Sequence, residues 1–170
     1  MSCIVLLNGL SIYVEGKVGM EKVVDTAARI ELLEARAAIA DLVHGYAFNI
    51  RSGNAAACEQ LFTEDAVFEV RERTGGAGIT QTRSKLSGRS AIMAYLLDGA
   101  ASQIRLCPLI QNLIIRVSGH EAMSTSAMIA FVLPSGKGII GEYEDSLRYE
   151  QEWQFSSRIY TILGEVSENS

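Results

Sequence analysis

The sequence predicts an α+β fold, and three observations carry the prediction. Apolar residues follow a helical period through much of the chain up to about residue 97. From Ile104 onward the period changes to two through four long segments. The connections between those segments are short and turn-rich, as hairpins require. Helices first and an antiparallel meander afterwards is the pattern of segregated α+β domains.

The elements follow in order. Residues 1–20 look unlike the rest and are read as an N-terminal extension, which lies outside the core or adds an edge strand. From Asp25 to Arg51, Ile30, Leu33, Ala37, Leu42, Tyr46 and Ile50 fall near one helix face, with Glu31, Glu34, Arg36 and Asp41 opposite. Ser52-Gly53-Asn54 supplies the stop. A short second helix spans Ala55 to Phe62. Ala66–Glu72 and Ile79–Arg83 read as strands joined through Gly75–Gly78. A third helix runs from Gly88 to Leu97, opened by Ser87 or Ser90. The four long strands are Ile104–Val117, Ala122–Leu133, Gly138–Glu150 and Trp153–Leu163. Residues 21–165 are thus expected to form one domain, and 166–170 a short polar tail.

Composition narrows the function classes. The net charge is −5, from 15 Lys and Arg against 20 Asp and Glu. That opposes nucleic-acid binding, which needs a basic surface. Two histidines, far apart at 44 and 120, and three scattered cysteines leave no metal-ligand spacing. No cofactor motif is present: the glycines of 75–78 lack the Lys-Ser/Thr of a phosphate loop. The longest apolar run, Ala127 to Leu133, falls far short of the roughly 20 residues that span a bilayer. The odd cysteine count without a CxxC suits a reducing compartment, and a cytoplasmic location is expected.

Side-chain alternation singles out one strand. In Ile139–Glu150, Ile139, Gly141, Tyr143, Asp145, Leu147 and Tyr149 share one face, while Glu142, Glu144, Ser146, Arg148 and Glu150 share the other. Asp145 is therefore expected on the apolar side, where a carboxylate needs a partner or a proton. Ala122–Leu133 is apolar on both faces, with Met123, Ile129 and Phe131 on one and Met128 and Val132 on the other. Its second face would meet a second copy in a homodimer, or the N-terminal extension.

Several stretches together resemble the nuclear transport factor 2-like superfamily, and its SnoaL-like branch in particular. They are Ile39–Tyr46, Leu61–Phe68, Gly88–Ile92, Asn112–Ala122, Gly141–Asp145 and Trp153–Arg158. The resemblance implies a cone: a curved mixed sheet closed by three helices from the N-terminal half, enclosing a mostly apolar pocket. Dehydratases, isomerases, polyketide cyclases and non-enzymatic subunits share that fold, so the fold alone does not define a function. SnoaL-like enzymes typically place a Tyr on the first helix, an Asp five residues later, and a His on the first long strand of the meander. Here Tyr46 is present, Arg51 stands in place of the Asp, and Ile104–Arg116 contains no His. The usual acid/base pair is absent.

Tyr46 and Asp145 are the catalytic candidates, and Asn112, Tyr143 and Arg158 are ligand-binding candidates, with Arg51, which departs from the family pattern, added to these for its guanidinium. Arg51 has two readings, an anion clamp or a helix-end cation. Asp145 is a base or a structural partner of Arg158 or Arg51. The function expected is binding of a small hydrophobic molecule, neutral or anionic, of an aromatic, polyketide or terpenoid-like kind. A cofactor-independent lyase, isomerase or cyclase is one form of it. The alternative is a non-catalytic binding or assembly subunit, like the small subunit of a ring-hydroxylating oxygenase. No metal, nucleic acid or membrane partner is expected.

Overall fold

A computed structural model describes residues 6–7, 10–11, 18–75, 78–102 and 104–166, with side chains from Thr26 on. The chain divides into two units, Met1–Ala35 and Arg36–Ser170. The first contains two short paired strands, β1 (Leu6–Leu7) and β2 (Leu10–Ser11), and the beginning of helix α1 (Val18–Ser52). The rest of the expected extension lies outside the described residues.

The second unit begins within α1. Its buried stripe is Ile39, Leu42, Val43, Tyr46 and Ala47, spaced i, i+3, i+4, i+7, i+8. The stripe expected from sequence reached back to Ile30, Leu33 and Ala37, but these three are exposed. Gly53 ends the helix at φ 74°, its N–H donating to the Ile50 carbonyl. A left-handed residue at this point closes the last helical turn, and glycine adopts it without a Cβ clash. A 3-10 helix (Ala55–Leu61) leads into β3 (Phe62–Arg73), which pairs antiparallel with β4 (Thr80–Ser87). The turn joining them falls partly outside the described residues. Helix α2 (Arg89–Ala101) starts after Gly88, which occupies the cap position at φ 86°. Neither serine expected to cap this helix does so.

The meander follows as β5 (Arg105–Ser118), β6 (Glu121–Leu133), β7 (Lys137–Tyr149) and β8 (Trp153–Val166). The six strands form one mixed sheet in the order β4-β3-β8-β7-β6-β5. Only the β3–β8 pair is parallel. The strand order explains the core: β8 lies in the middle of the sheet, between β3 and β7, and carries buried Trp153, Phe155, Arg158 and Tyr160.

Register brings the site residues together. On the buried face, Ser124, Asp145, Arg158 and Phe68 lie opposite one another across β6, β7, β8 and β3. The next row is Ser126, Tyr143, Tyr160 and Val70. A register shift between Ser146 and Leu147 against β8 is decisive. Strict alternation would send Phe155 and Arg158 to opposite faces. The irregularity at 155–157 lets both point inward, as a bulge does by inserting an extra residue.

Candidate functional site

A cavity of about 800 Å³ opens within the second unit. It lies among the end of α1, α2 and the buried face of the sheet. Tyr46, Tyr143 and Tyr160 line it together with Phe68, Val70 and Leu96. All six belong to the core or its margin. Ser52, Arg83, Asp98, Ser102 and Arg105 are its exposed polar lining. Arg83 is tied to Glu72 at 2.7 Å. The volume is in the range of small-molecule sites, and the lining has their composition: apolar walls and few polar groups.

The tyrosines form a packed cluster. The Tyr46 and Tyr143 rings meet edge to face with centroids 6.3 Å apart, and those of Tyr143 and Tyr160 lie 5.1 Å apart. Gly141 makes room for this. A Cβ there would come within 2.5 Å of Tyr160 Cε2 and 2.8 Å of the Thr161 carbonyl oxygen. Burial drives the Tyr46 phenol well above its usual range, with the neighbouring Tyr143 phenol adding to the rise through charge repulsion and Arg158 opposing it. Tyr143 is pushed up to about 12 by burial, again against Arg158. Tyr160 is raised further, also by burial. At neutral pH all three are neutral phenols, so they can donate hydrogen bonds but are poor bases.

Beside them is a fully buried ion pair. Arg158 Nε stands 3.4 Å from Asp145 Oδ1, and both side chains are 0% exposed. Ser124 Oγ donates to Asp145 Oδ2 at 3.0 Å. The guanidinium is enclosed by aromatic rings: its Cζ lies 4.2 Å from the Tyr46 centroid, 3.9 Å from Tyr143 and 4.3 Å from Phe155. Arg158 Nε, Nη1 and Nη2 and Asp145 Oδ1 all lack a hydrogen-bond partner among the described residues, so the contact between the two side chains is an ion pair only. Burial lifts the Asp145 carboxyl above the usual carboxylate range, and Arg158 and the Ser124 hydroxyl pull against that rise.

Of the six residues singled out from sequence, the fold gathers four: Tyr46, Tyr143, Asp145 and Arg158. The other two lie apart. Arg51 is exposed in the last turn of α1, its guanidinium 5.6 Å from the Phe48 ring, and does not line the cavity. Asn112 is exposed, at φ 51°, inside the register shift between Gln111 and Ile114. Asn tolerates this left-handed conformation better than most residues, which accounts for it structurally. His44 and His120 are both exposed. Three contributors were missed in the sequence: Tyr160, Ser124 and Ser126. Small polar residues alternating along an otherwise apolar strand were the available signal for the serines. Tyr160 was hidden by the irregularity in β8.

Among the described residues, no three His, Cys, Asp or Glu side chains converge in a metal-binding group. Nor is any described helix long and apolar enough to cross a membrane.

This geometry, a curved mixed sheet with helices closing an apolar cavity, is that of the nuclear transport factor 2-like folds. The SnoaL-like domain matches residues 31–159, and the chain belongs to that family. Three solved structures from Novosphingobium aromaticivorans share the fold. One is an NTF2-like protein with a cystatin-like fold, at 23% identity and TM-score 0.65, covering 82% of this chain and 89% of that one. Another is assigned as the beta subunit of an aromatic-ring-hydroxylating dioxygenase, at 15% identity and TM-score 0.66, covering 79% and 92%. The third is assigned as a scytalone dehydratase, at 21% identity and TM-score 0.63, covering 84% and 93%. At these identities the likeness concerns the fold. No curated protein matches the sequence.

Proposed function

We propose that this SnoaL-like protein binds one small, largely apolar molecule in the cavity floored by Tyr46, Tyr143 and Tyr160, without a metal or organic cofactor. The observation that carries the reading is the cavity itself, about 800 Å³ with apolar walls and neutral phenols at its floor. The site offers donors rather than a free base. Asp145 is held by Arg158 and Ser124, and the carboxylate that lines the cavity, Asp98, is an exposed residue. Lyase, isomerase or cyclase chemistry here would run on a carbonyl polarised by phenols, not on proton abstraction by Asp145.

The test is calorimetric titration with fluorene, a rigid apolar probe. The wild-type protein is expected to bind it in one-to-one stoichiometry. Leu106→Trp, which places an indole in the cavity lining, should abolish binding while leaving the circular dichroism spectrum unchanged. Equal binding by both proteins would refute the cavity as the site.

The outward face of the meander supports a second reading, self-association through the sheet. Met123, Ile129 and Phe131 on β6 are exposed, flanked by exposed Leu109 and Ile114 on β5 and Ile140 on β7. A contiguous apolar sheet face of this kind marks an interaction surface. The fold shared with a protein assigned as an oxygenase beta subunit is in keeping with an assembly role. Light scattering on the purified chain should give twice the monomer mass, and Ile129→Glu with Phe131→Glu should give the monomer. A wild-type monomer would refute the homodimer.

A further inference from the structure

Helix α1 carries a second apolar stripe, and this one is uncovered. Ile30 is 50% and Leu33 66% exposed, and Ala37 is exposed one turn further on. By the helical step of about 100° per residue, these three lie roughly 140° around the helix from the buried stripe of Ile39, Leu42, Val43, Tyr46 and Ala47. The uncovered stripe repeats with the heptad period. Thr26, Leu33 and Ala40 hold one position of the repeat and Ile30 and Ala37 the other, and Val23 continues it in the sequence. This is the apolar seam of a coiled coil, with Ile30 and Ala37 at a and Leu33 at d. We propose that this face of α1 pairs with the same face of a second copy as a short, parallel, two-stranded coiled coil. The contact is separate from the apolar sheet face and does not depend on it.

The charges beside the seam select the occupant and its direction. In the same register Arg29 and Arg36 fall at g, and Glu34 and Asp41 at e. All four are exposed, and none forms an ion pair among the described residues. In a parallel pair each g residue faces the next e residue of the other chain. Arg29 then faces Glu34 of the second copy, and Arg36 faces Asp41 of the second copy. Two-fold symmetry makes each of these contacts twice. An antiparallel pair would set g against g and bring Arg29 against Arg36 of the second copy. A β-branched residue at a with leucine at d favours two strands. The last layers, Ala37 and Ala40, let the helices approach closely but bury little area, so the contact is weak and forms at high protein concentration.

The experiment uses the full chain carrying Ile129→Glu and Phe131→Glu, so that the sheet face cannot pair and the two contacts are read apart. Sedimentation equilibrium from micromolar to millimolar concentration should show its mass rising from the monomer to about twice that value. Adding Ile30→Glu and Leu33→Glu, both on exposed positions, should hold it monomeric throughout and leave the dilute circular dichroism spectrum unchanged. Adding Arg29→Glu and Arg36→Glu should also prevent pairing, and so should adding Glu34→Arg and Asp41→Arg instead. An equimolar mixture of these last two chains should pair, because every g–e contact is then between opposite charges. Direction is read from Thr26→Cys in a chain with Cys3→Ser and Cys107→Ser. In the parallel pair the two thiols meet, and oxidised glutathione should link them. In an antiparallel pair with Ile30 against Leu33 they would stand about 16 Å apart along the axis. Glu31→Cys, off the seam, should not link. The proposal is overturned if the sheet-face variant stays monomeric at millimolar concentration, if Ile30→Glu/Leu33→Glu still pairs, if the mixed charge variants do not pair, or if Thr26→Cys links no better than Glu31→Cys.

Discussion

The buried pair of Asp145 and Arg158 makes an asymmetric prediction about stability. Both side chains are 0% exposed, and their closest atoms are 3.4 Å apart. Removing one partner leaves the other charge in the interior, at a cost of about 3–5 kcal/mol. The two single variants should nevertheless respond to pH differently. In Asp145→Asn the carboxyl is gone, so the stability of this variant carries no pH dependence from the pair. In Arg158→Met the stranded group is a carboxyl, and burial already raises its pKa. Loss of the cation removes a lowering influence and raises it further. A carboxyl with a folded pKa above its unfolded value of about 3.9 is tightest in its protonated form. Its folded state is favoured at low pH and loses that advantage as the pH rises through the folded pKa. The cost of Arg158→Met should therefore be small near pH 4 and grow toward pH 8. Arg158→Met/Asp145→Asn should lie within about 2 kcal/mol of the wild type, because no unpaired charge remains. Urea unfolding of all four proteins between pH 4 and 8 gives the full cycle. Additive losses in the paired variant, or the same pH profile for both single variants, would refute the reasoning.

Three further predictions follow from the same geometry. Gly141→Ala should cost about 1–3 kcal/mol in urea unfolding, because its Cβ would displace the Tyr160 ring or the β8 backbone; an unchanged midpoint would mean that the close approach is absent in solution. Glu69 is held down to about 2 by the Arg71 and Thr82 hydrogen bonds. Its stabilising contribution is present above the unfolded carboxyl pKa of about 4.3 and lost as the pH falls toward 2, so Glu69→Gln should flatten the acid limb of the stability curve. Cys58 is buried and its thiol pushed up to about 11 by burial, so site-mapped mass spectrometry at pH 8 should find it unalkylated in the folded protein and alkylated in urea.

Much of the fold was legible because its signals are local. Each of the three helical segments and six strand segments read from periodicity lies within one of the observed elements or overlaps it by most of its length. Boundaries moved by a few residues where tertiary hydrogen bonds took over. Gly88, whose N–H donates to the Ala66 carbonyl, starts α2 in place of a serine cap. The exposed start of α1 was misjudged for a different reason: Ile30 and Leu33 fit the helical period, but period alone does not say where a helix leaves its covering surface.

By itself the sequence determined the alternation along β7, and with it that Tyr143 and Asp145 share the buried face. That information is local, because neighbouring side chains on an extended strand must point to opposite sides. Only the tertiary structure decided what Asp145 meets there. Its partner comes from a different strand, and the irregularity at 155–157 turned Arg158 inward against simple alternation. Register across strands depends on every contact in the sheet, and a one-residue slip reverses every face. The tyrosine cluster around a buried guanidinium is a consequence of that register.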